Sequence, residues 1–166
     1  MDDAPARVMA LDYGRRRIGL AVSDPTGAYG LPAGVVAWKG PLAGGGPLPP
    51  GLAAAVKRNA PSLIVVGLPF LMSGRAGKMA SEAREFARAV ELQTGVAVAE
   101  WDERLTSSRA DRDLAAVRGR GRKAPSSGRR ADGRHDQAAA ALILSAFLQR
   151  AKTLGGDDNP DRGRRP

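Results

Sequence analysis

Three acidic residues stand apart from the other acids of the chain: Asp12 at the end of the apolar run RVMALDY (7–13), Glu103 just after the run VAVAEW (96–101), and Asp136 at the opening of the apolar pattern DQAAAALILSAFLQRA. A carboxylate flanked by Val8 and Leu11 is costly to bury without a counter-ion. Carboxylates drawn together from distant parts of a chain hold a hard divalent cation, Mg²⁺ or Mn²⁺, against phosphate oxygens. The pattern points to phosphodiester chemistry. With no cysteine and a single histidine in 166 residues, the chain has no thiolate nucleophile, no disulfide, and neither a Cys-based zinc site nor a His-rich metal site. Oxygen is the expected ligand of any metal.

Each acid sits in a motif that also has a plain structural use. In LDYGRRRIGLAVSD (11–24), Gly14 lets the backbone approach closely or take a positive φ beside Asp12, although a hairpin turn alone would use an Asp in that way. DERLTS (102–107) offers two acids, an arginine and two hydroxyls after a strand. Glu103 is placed to complete a metal site and Arg104 to contact phosphate, whereas Thr106 and Ser107 are read as helix caps. Asp136 occupies the expected N-cap of the last helix. Its neighbour His135 is a weaker candidate for proton relay, and Asp24 and Asp132 are spare acids. GLPFLMSGRAGKM (67–79) brings Ser73, Gly74 and Arg75 to a strand-to-helix junction, where backbone amides attract anions. This is not a Walker A loop, because Met72 stands where that motif needs glycine and Met79 follows Lys78.

The net charge of +9 is concentrated. From Arg118 to His135, seven Arg and Lys residues, Arg122 and Lys123 among them, face one acid, Asp132, giving this stretch +6. A basic segment beside a carboxylate site would hold a polyanion where a metal can reach it; a solvated basic loop is the bland alternative. With aromatic residues at 4%, phosphate contacts rather than base stacking should carry affinity for nucleic acid.

The elements that must position these residues read as follows. Residues 7–13 and 17–24 form a β-hairpin with Arg15 and Arg16 at its tip, and 33–38 a weaker third strand. GPLAGGGPLPP (40–50) is a loop. A short helix runs from Leu52 to Ala60, stopped by Pro61. The continuous apolar run SLIVVG (62–67) marks a strand buried on both faces of a mainly parallel sheet. A helix over about 78–93 ends at Gly95 as a C-cap, and 96–101 is the last strand. Ser107 or Ser108 begins a helix to about Val117, 118–134 is a mobile loop, and Asp136 starts the final helix. This order predicts an α/β fold, a five-stranded mixed sheet with helices on both faces, in a single domain over 1–154 followed by a disordered tail, 155–166. No apolar run reaches the roughly 20 residues of a membrane span, and the first residues do not read as a secretory signal. The expected compartment is the cytoplasm.

Together LDYGRRRIGLAVSD, IVVGLPFLMSG, DERLTS and HDQAAAALIL resemble, in order and spacing over about residues 7–150, the bacterial pre-16S rRNA nuclease family, also described as Holliday-junction-resolvase-like within the ribonuclease H-like superfamily. The resemblance implies a ribonuclease H-like fold, a metal-dependent nuclease, and Asp12, Glu103 and Asp136 as its catalytic and metal-holding triad with Mg²⁺ or Mn²⁺. Arg15, Arg16, Ser73, Arg75, Arg104, Arg122 and Lys123 are then the expected contacts to substrate, ribosomal precursor RNA or branched DNA. Leu71 and Ser73 depart from the Asn and Asp usual in the family, and Arg15 to Arg17 make the hairpin tip more basic than the usual Gly-Thr-Lys. Two other readings stand beside it. Asp-x-Gly in a hairpin also occurs in actin-like and sugar-kinase ATPases, but those need two lobes, and a chain of one-domain size lacks the second. A non-catalytic RNA-binding protein would use the basic surface alone.

Overall fold

The computed structural model describes residues 6–39, 46–70, 73, 75, 77–106 and 132–155. Five strands, β1 (Val8–Tyr13), β2 (Arg17–Ser23), β3 (Gly30–Ala37), β4 (Leu63–Leu68) and β5 (Ala97–Asp102), form one sheet in the order β3-β2-β1-β4-β5. β1, β2 and β3 pair antiparallel, and β4 and β5 join β1 in parallel. Among the described residues, three helices of ten residues or more accompany them: α1 (Pro50–Asn59), α2 (Lys78–Thr94) and α3 (Asp132–Gly155). The expected mixed five-stranded sheet is therefore the observed one.

Strand alternation sorts the side chains of each strand onto two faces. On one face, Met9, Leu11, Ile18, Leu20, Ile64 and Val66 pack with Leu52 and Val56 of α1 and with Phe86 and Val90 of α2. Burying a side chain such as Phe86 stabilises the fold by roughly 1.5–3 kcal/mol. On the other face the strands present small residues, Ala10, Ala21 and Val65, against Ala140, Ile143, Leu144 and Leu148 of α3. The spacing of those four follows one stripe of a helix. Because little side chain stands between sheet and helix there, α3 lies close to the backbone of β2. At Gly19, a Cβ would fall 2.0 Å from the carbonyl oxygen of Asp136 and 2.4 Å from its carbon.

Several boundaries differ from those read in the sequence, each for a local reason. β3 begins at Gly30 rather than 33, because Asp24 closes the preceding turn by accepting from the N–H groups of Ala28 and Tyr29 at 2.7 and 2.8 Å and from Thr26. This Asp24 carboxyl is held down at about 2, first by the Thr26 hydroxyl and then by the Tyr29 amide, so the acid is consumed by the turn. α1 starts at Pro50, whose fixed φ suits the first helical position. Gly95 ends α2 in the left-handed region, φ 70°, as expected. α3 starts at Asp132, so Asp136 lies inside the helix and does not cap it. The helix expected from Ser107 or Ser108 to Val117, the loop as far as residue 131 and all of the tail but Gly155 lie outside the described residues. Among the described residues, no helix is long and apolar enough to cross a membrane.

The close seating of α3 generates a stability prediction. Gly19→Ala should destabilise the protein by about 2–3 kcal/mol, the scale of overpacking against an unyielding neighbour, since the new methyl would meet helix backbone. Gly46→Ala, where a Cβ would meet nothing within 4 Å, should shift urea unfolding by no more than about 0.5 kcal/mol.

Candidate active site

Asp12, Glu103 and Asp136 reach one region of the sheet by three routes. Asp12 is the penultimate residue of β1, and alternation from Ala10 turns it to the α3 face. Its cross-strand partner on β2 is Gly19. On its other side, Gly67 follows Val66, the β4 partner of Leu11. Asp12 is thus flanked by two glycines, and each makes room for one of the other acids. Gly19 admits the α3 backbone at Asp136, and Gly67 admits the Glu103 side chain: a Cβ at position 67 would lie 2.5 Å from Glu103 Oε1 and 2.7 Å from Ile143 Cδ1.

The turn after β5 positions Glu103. Its N–H donates to the Leu68 carbonyl at 3.2 Å, and its own carbonyl accepts from the Thr106 N–H at 2.9 Å. Thr106, read in the sequence as a helix cap, is buried, and its hydroxyl accepts from Trp101 Nε1 at 2.8 Å. Trp101 in turn packs edge-on against Phe147 of α3, with ring centroids 5.8 Å apart. The end of β5 is therefore tied to the helix that carries Asp136.

The electrostatics follow from this crowding. The Asp12 carboxyl is pushed up from 3.8 to about 7, chiefly by burial and then by the charges of Glu103 and Asp136. Glu103 is raised as well, by burial and then by Asp102. Asp136 Oδ2 accepts from Arg17 Nε at 2.9 Å. Among the described residues no set of three Asp, Glu or His side chains stands in a preformed metal-holding arrangement. The donor chemistry nevertheless fits a hard divalent cation: the cluster offers carboxylate oxygen alone, half-buried, and its central acid is held protonated to near neutrality by burial and then by its two acidic neighbours.

The remaining sequence candidates are dispersed. Arg15 grips Glu82 of α2 with Nε and Nη2, both at 2.9 Å, and the Tyr13 hydroxyl donates to the same carboxylate at 3.4 Å. Arg104 folds back on Asp102, which accepts from both its backbone and its guanidinium, and stacks over Phe70 with its guanidinium carbon 5.2 Å from the ring centroid. Arg16, Ser73, Arg75 and His135 are exposed. Arg122 and Lys123 lie outside the described residues. Sequence reasoning counted Arg17 only among the basic residues of the hairpin tip, and it missed Gly19 and Gly67. The hairpin carried a signal for the first two, because residues 17 and 19 fall on the same strand face, across from Asp12. Gly67 had none, since its role depends on a turn 36 positions later.

The match to a family model spans residues 6–150, and the model is described as RuvX, Holliday junction resolvase. Relatives named "Putative pre-16S rRNA nuclease" include one from Koribacter versatilis, 40% identical over 147 residues and covering 87% of each chain. Another, from Anaplasma marginale, is 36% identical over 152 residues, covering 92% of this chain and 90% of the relative. Among solved structures, Thermus thermophilus RuvC in complex with a Holliday junction substrate superposes with a TM-score of 0.58 over 89% of this chain and 96% of that one, at 18% identity. That likeness establishes a fold shared with RuvC. With a family model matched along nearly its whole described length and the acids of the resemblance gathered beside Gly19 and Gly67, the chain belongs to the RuvX family of Holliday-junction-resolvase-like nucleases.

Proposed function

We propose that this protein is a divalent-cation-dependent nuclease that hydrolyses phosphodiester bonds of structured nucleic acid in the cytoplasm, with trimming of the 5′ end of pre-16S rRNA as its principal task. The observation that carries the reading is the convergence of Asp12, Glu103 and Asp136 at one end of the sheet, where burial first and the neighbouring Glu103 and Asp136 charges second raise Asp12 to about 7. The names borne by relatives at 33–40% identity support the choice of precursor rRNA.

In this reading Asp12, Glu103 and Asp136 together hold Mg²⁺ or Mn²⁺. When bound, the cation supplies charge neutralisation at the scissile phosphate and lowers the pKa of a coordinated water. Asp12 enters the reaction as the carboxylate, losing the proton that burial and its neighbours otherwise keep on it. Gly67 and the Trp101–Thr106 bond keep Glu103 over the sheet end. Arg16, Ser73 and Arg75, exposed, together with Arg122 and Lys123, bind backbone phosphates. Arg15 and Arg104 are held by Glu82 and Asp102, and so present a fixed rather than a swinging positive charge. A second reading, cleavage of a four-way DNA junction, is favoured by the description of the matched family.

Cleavage of precursor rRNA and of junction DNA, measured side by side with Mg²⁺ or Mn²⁺, decides between the two substrates. Asp12→Asn should lower cleavage of the preferred substrate by more than about a hundredfold, since even outer-shell partners of a metal site are typically worth 10–100-fold. Retention of full cation-dependent cleavage by that variant would refute the site.

The raised Asp12 pKa also makes a prediction for the metal-free protein. Between 3.8 and about 7 the folded state holds a proton that the unfolded state has lost, so this group's contribution to stability is complete below pH 4 and is lost as pH rises through 7. Asp12→Asn should therefore match the wild type in Tm near pH 4 and exceed it by several degrees at pH 8. Added Mn²⁺ should raise the Tm of the wild type but not that of the variant.

A further inference from the structure

The end of the sheet opposite the acidic cluster collects cations from three separate elements. Arg7 stands just before β1, and its carbonyl accepts from the Ser62 N–H at 2.9 Å. Ser62 follows α1, whose last turn carries Lys57 and Arg58. On the other side of β1, the Val8 N–H donates to Ser23 Oγ at 3.0 Å, Ser23 pairs with Gly30, and the Gly30 N–H donates to Ser145 Oγ of α3 at 2.9 Å. α3 reaches that point from Asp136 beside Gly19, so its remaining residues, Arg150 and Lys152 among them, run on past the same end. The stretch from Arg7 to Asp12 is extended chain, which sets the two ends roughly 17 Å apart.

Arg7, Lys57, Arg58, Arg150 and Lys152 are all exposed, and among the described residues none of these five side chains takes part in a hydrogen bond or an ion pair. At the other end, Arg15, Arg17 and Arg104 each lie on a carboxylate. The acids described near the cationic end are already engaged: Asp24 closes its turn, and Glu91 accepts from the Val98 N–H at 3.3 Å. Lys57, Arg58 and Lys152 suit the negative ends of their helices. Arg7 precedes a strand, however, and Arg150 stands before the last turn of α3, so helix ends do not account for the set. Tyr29, Leu92 and Leu154 are also exposed here; they stand singly on three different elements, as apolar side chains do on any surface, and charge is what the end has in common.

We infer that this end is a second phosphate-binding surface, by which the protein holds nucleic-acid backbone away from the bond it cuts. The inference rests on the nucleic-acid part of the reading above and narrows its substrate to molecules long enough to reach both ends. Cations without internal partners have nothing to give up before they meet phosphate, and each contact releases condensed counter-ions. A short strand occupies one end alone, whereas a long duplex engages both and gains from their linkage.

The test is binding to a duplex of about 30 base pairs, well beyond the ~16 that one double-stranded-RNA-binding domain spans, made as RNA and as DNA and followed against salt concentration in EDTA. The full chain is compared as wild type, Lys57→Gln/Arg58→Gln and Arg150→Gln/Lys152→Gln. A charge-matched control, Lys39→Gln/Arg88→Gln, changes exposed cations after β3 and within α2. Circular dichroism confirms that each is folded, and the second pair serves if the first does not fold. Each pair at the cationic end should lower the salt slope by about two units and weaken binding of RNA, DNA or both by about tenfold near 0.1 M salt. The control should stay within about threefold of wild type, the scale of a screened general charge effect. Equal losses in the control, unchanged slopes, or lost binding to phosphatidylserine vesicles with duplex binding intact would overturn the inference. Absence of duplex binding by the wild type would instead overturn the nucleic-acid reading on which it rests.

Discussion

Like charges gathered at the end of one strand are the constraint around which this protein is arranged. Asp12 lies half-buried, and that burial first, then the nearby Glu103 and Asp136 carboxylates, raise it to about 7. Such an arrangement is tolerable only if the backbone leaves space for the acids and fixes where they stand. Space comes from the glycines on either side of Asp12. Gly19 takes the helix backbone and Gly67 takes the Glu103 side chain, both at distances a Cβ would forbid. Any larger residue at either position would push an acid away and relax the electrostatic conflict, and with it the affinity for positive charge.

Fixation comes from packing that has no chemistry of its own. On the α1 and α2 face, Tyr13, Trp38 and Phe86 form a triangle with ring centroids 5.2–5.6 Å apart. Trp38 Nε1 donates to the Gly14 carbonyl at 2.6 Å, which pins the β1–β2 turn just beyond Asp12. Arg15 and Glu82 tie the same turn to α2. On the α3 face, the Trp101 indole joins Thr106 below and Phe147 above, linking the Glu103 turn to the helix of Asp136. Each acid thus rests on an element braced by an aromatic or ionic contact to another. That bracing is what preorganises a site whose own charges repel.

Much of the architecture could be read in one dimension because it follows from short-range periodicity. The buried run SLIVVG announced β4, the alternation of Ile18, Leu20 and Val22 announced β2, and Gly95 announced the end of α2. Boundaries moved where side chains compete for the backbone. Asp24 held the chain in a turn up to β3, and α3 extended four residues before Asp136. The hydroxyl of Thr106 read as a cap, since its type and position suit one; the fold spends it on Trp101 because a buried indole N–H needs an acceptor.

Composition and order alone dictate the chemistry available here: oxygen ligands only, three acids set beside apolar runs, an excess of positive charge, and alternating strands and helices to carry them. Residue types and local spacing are written directly in the chain, and so are their consequences. Hairpin parity puts Arg17 on the face of Asp12, but which acid it meets was left to the tertiary structure. Arg15, Arg16 and Arg17 are adjacent and alike in composition, yet strand parity, the register that sets Asp12 opposite Gly19, and the close approach of α3 send the first to Glu82, leave the second in solvent and bring the third to Asp136. Side-chain direction in a sheet depends on register and on what lies across the face; the hairpin sets the first locally, but the second arises only when residues more than a hundred positions apart, Arg17 and Asp136, meet.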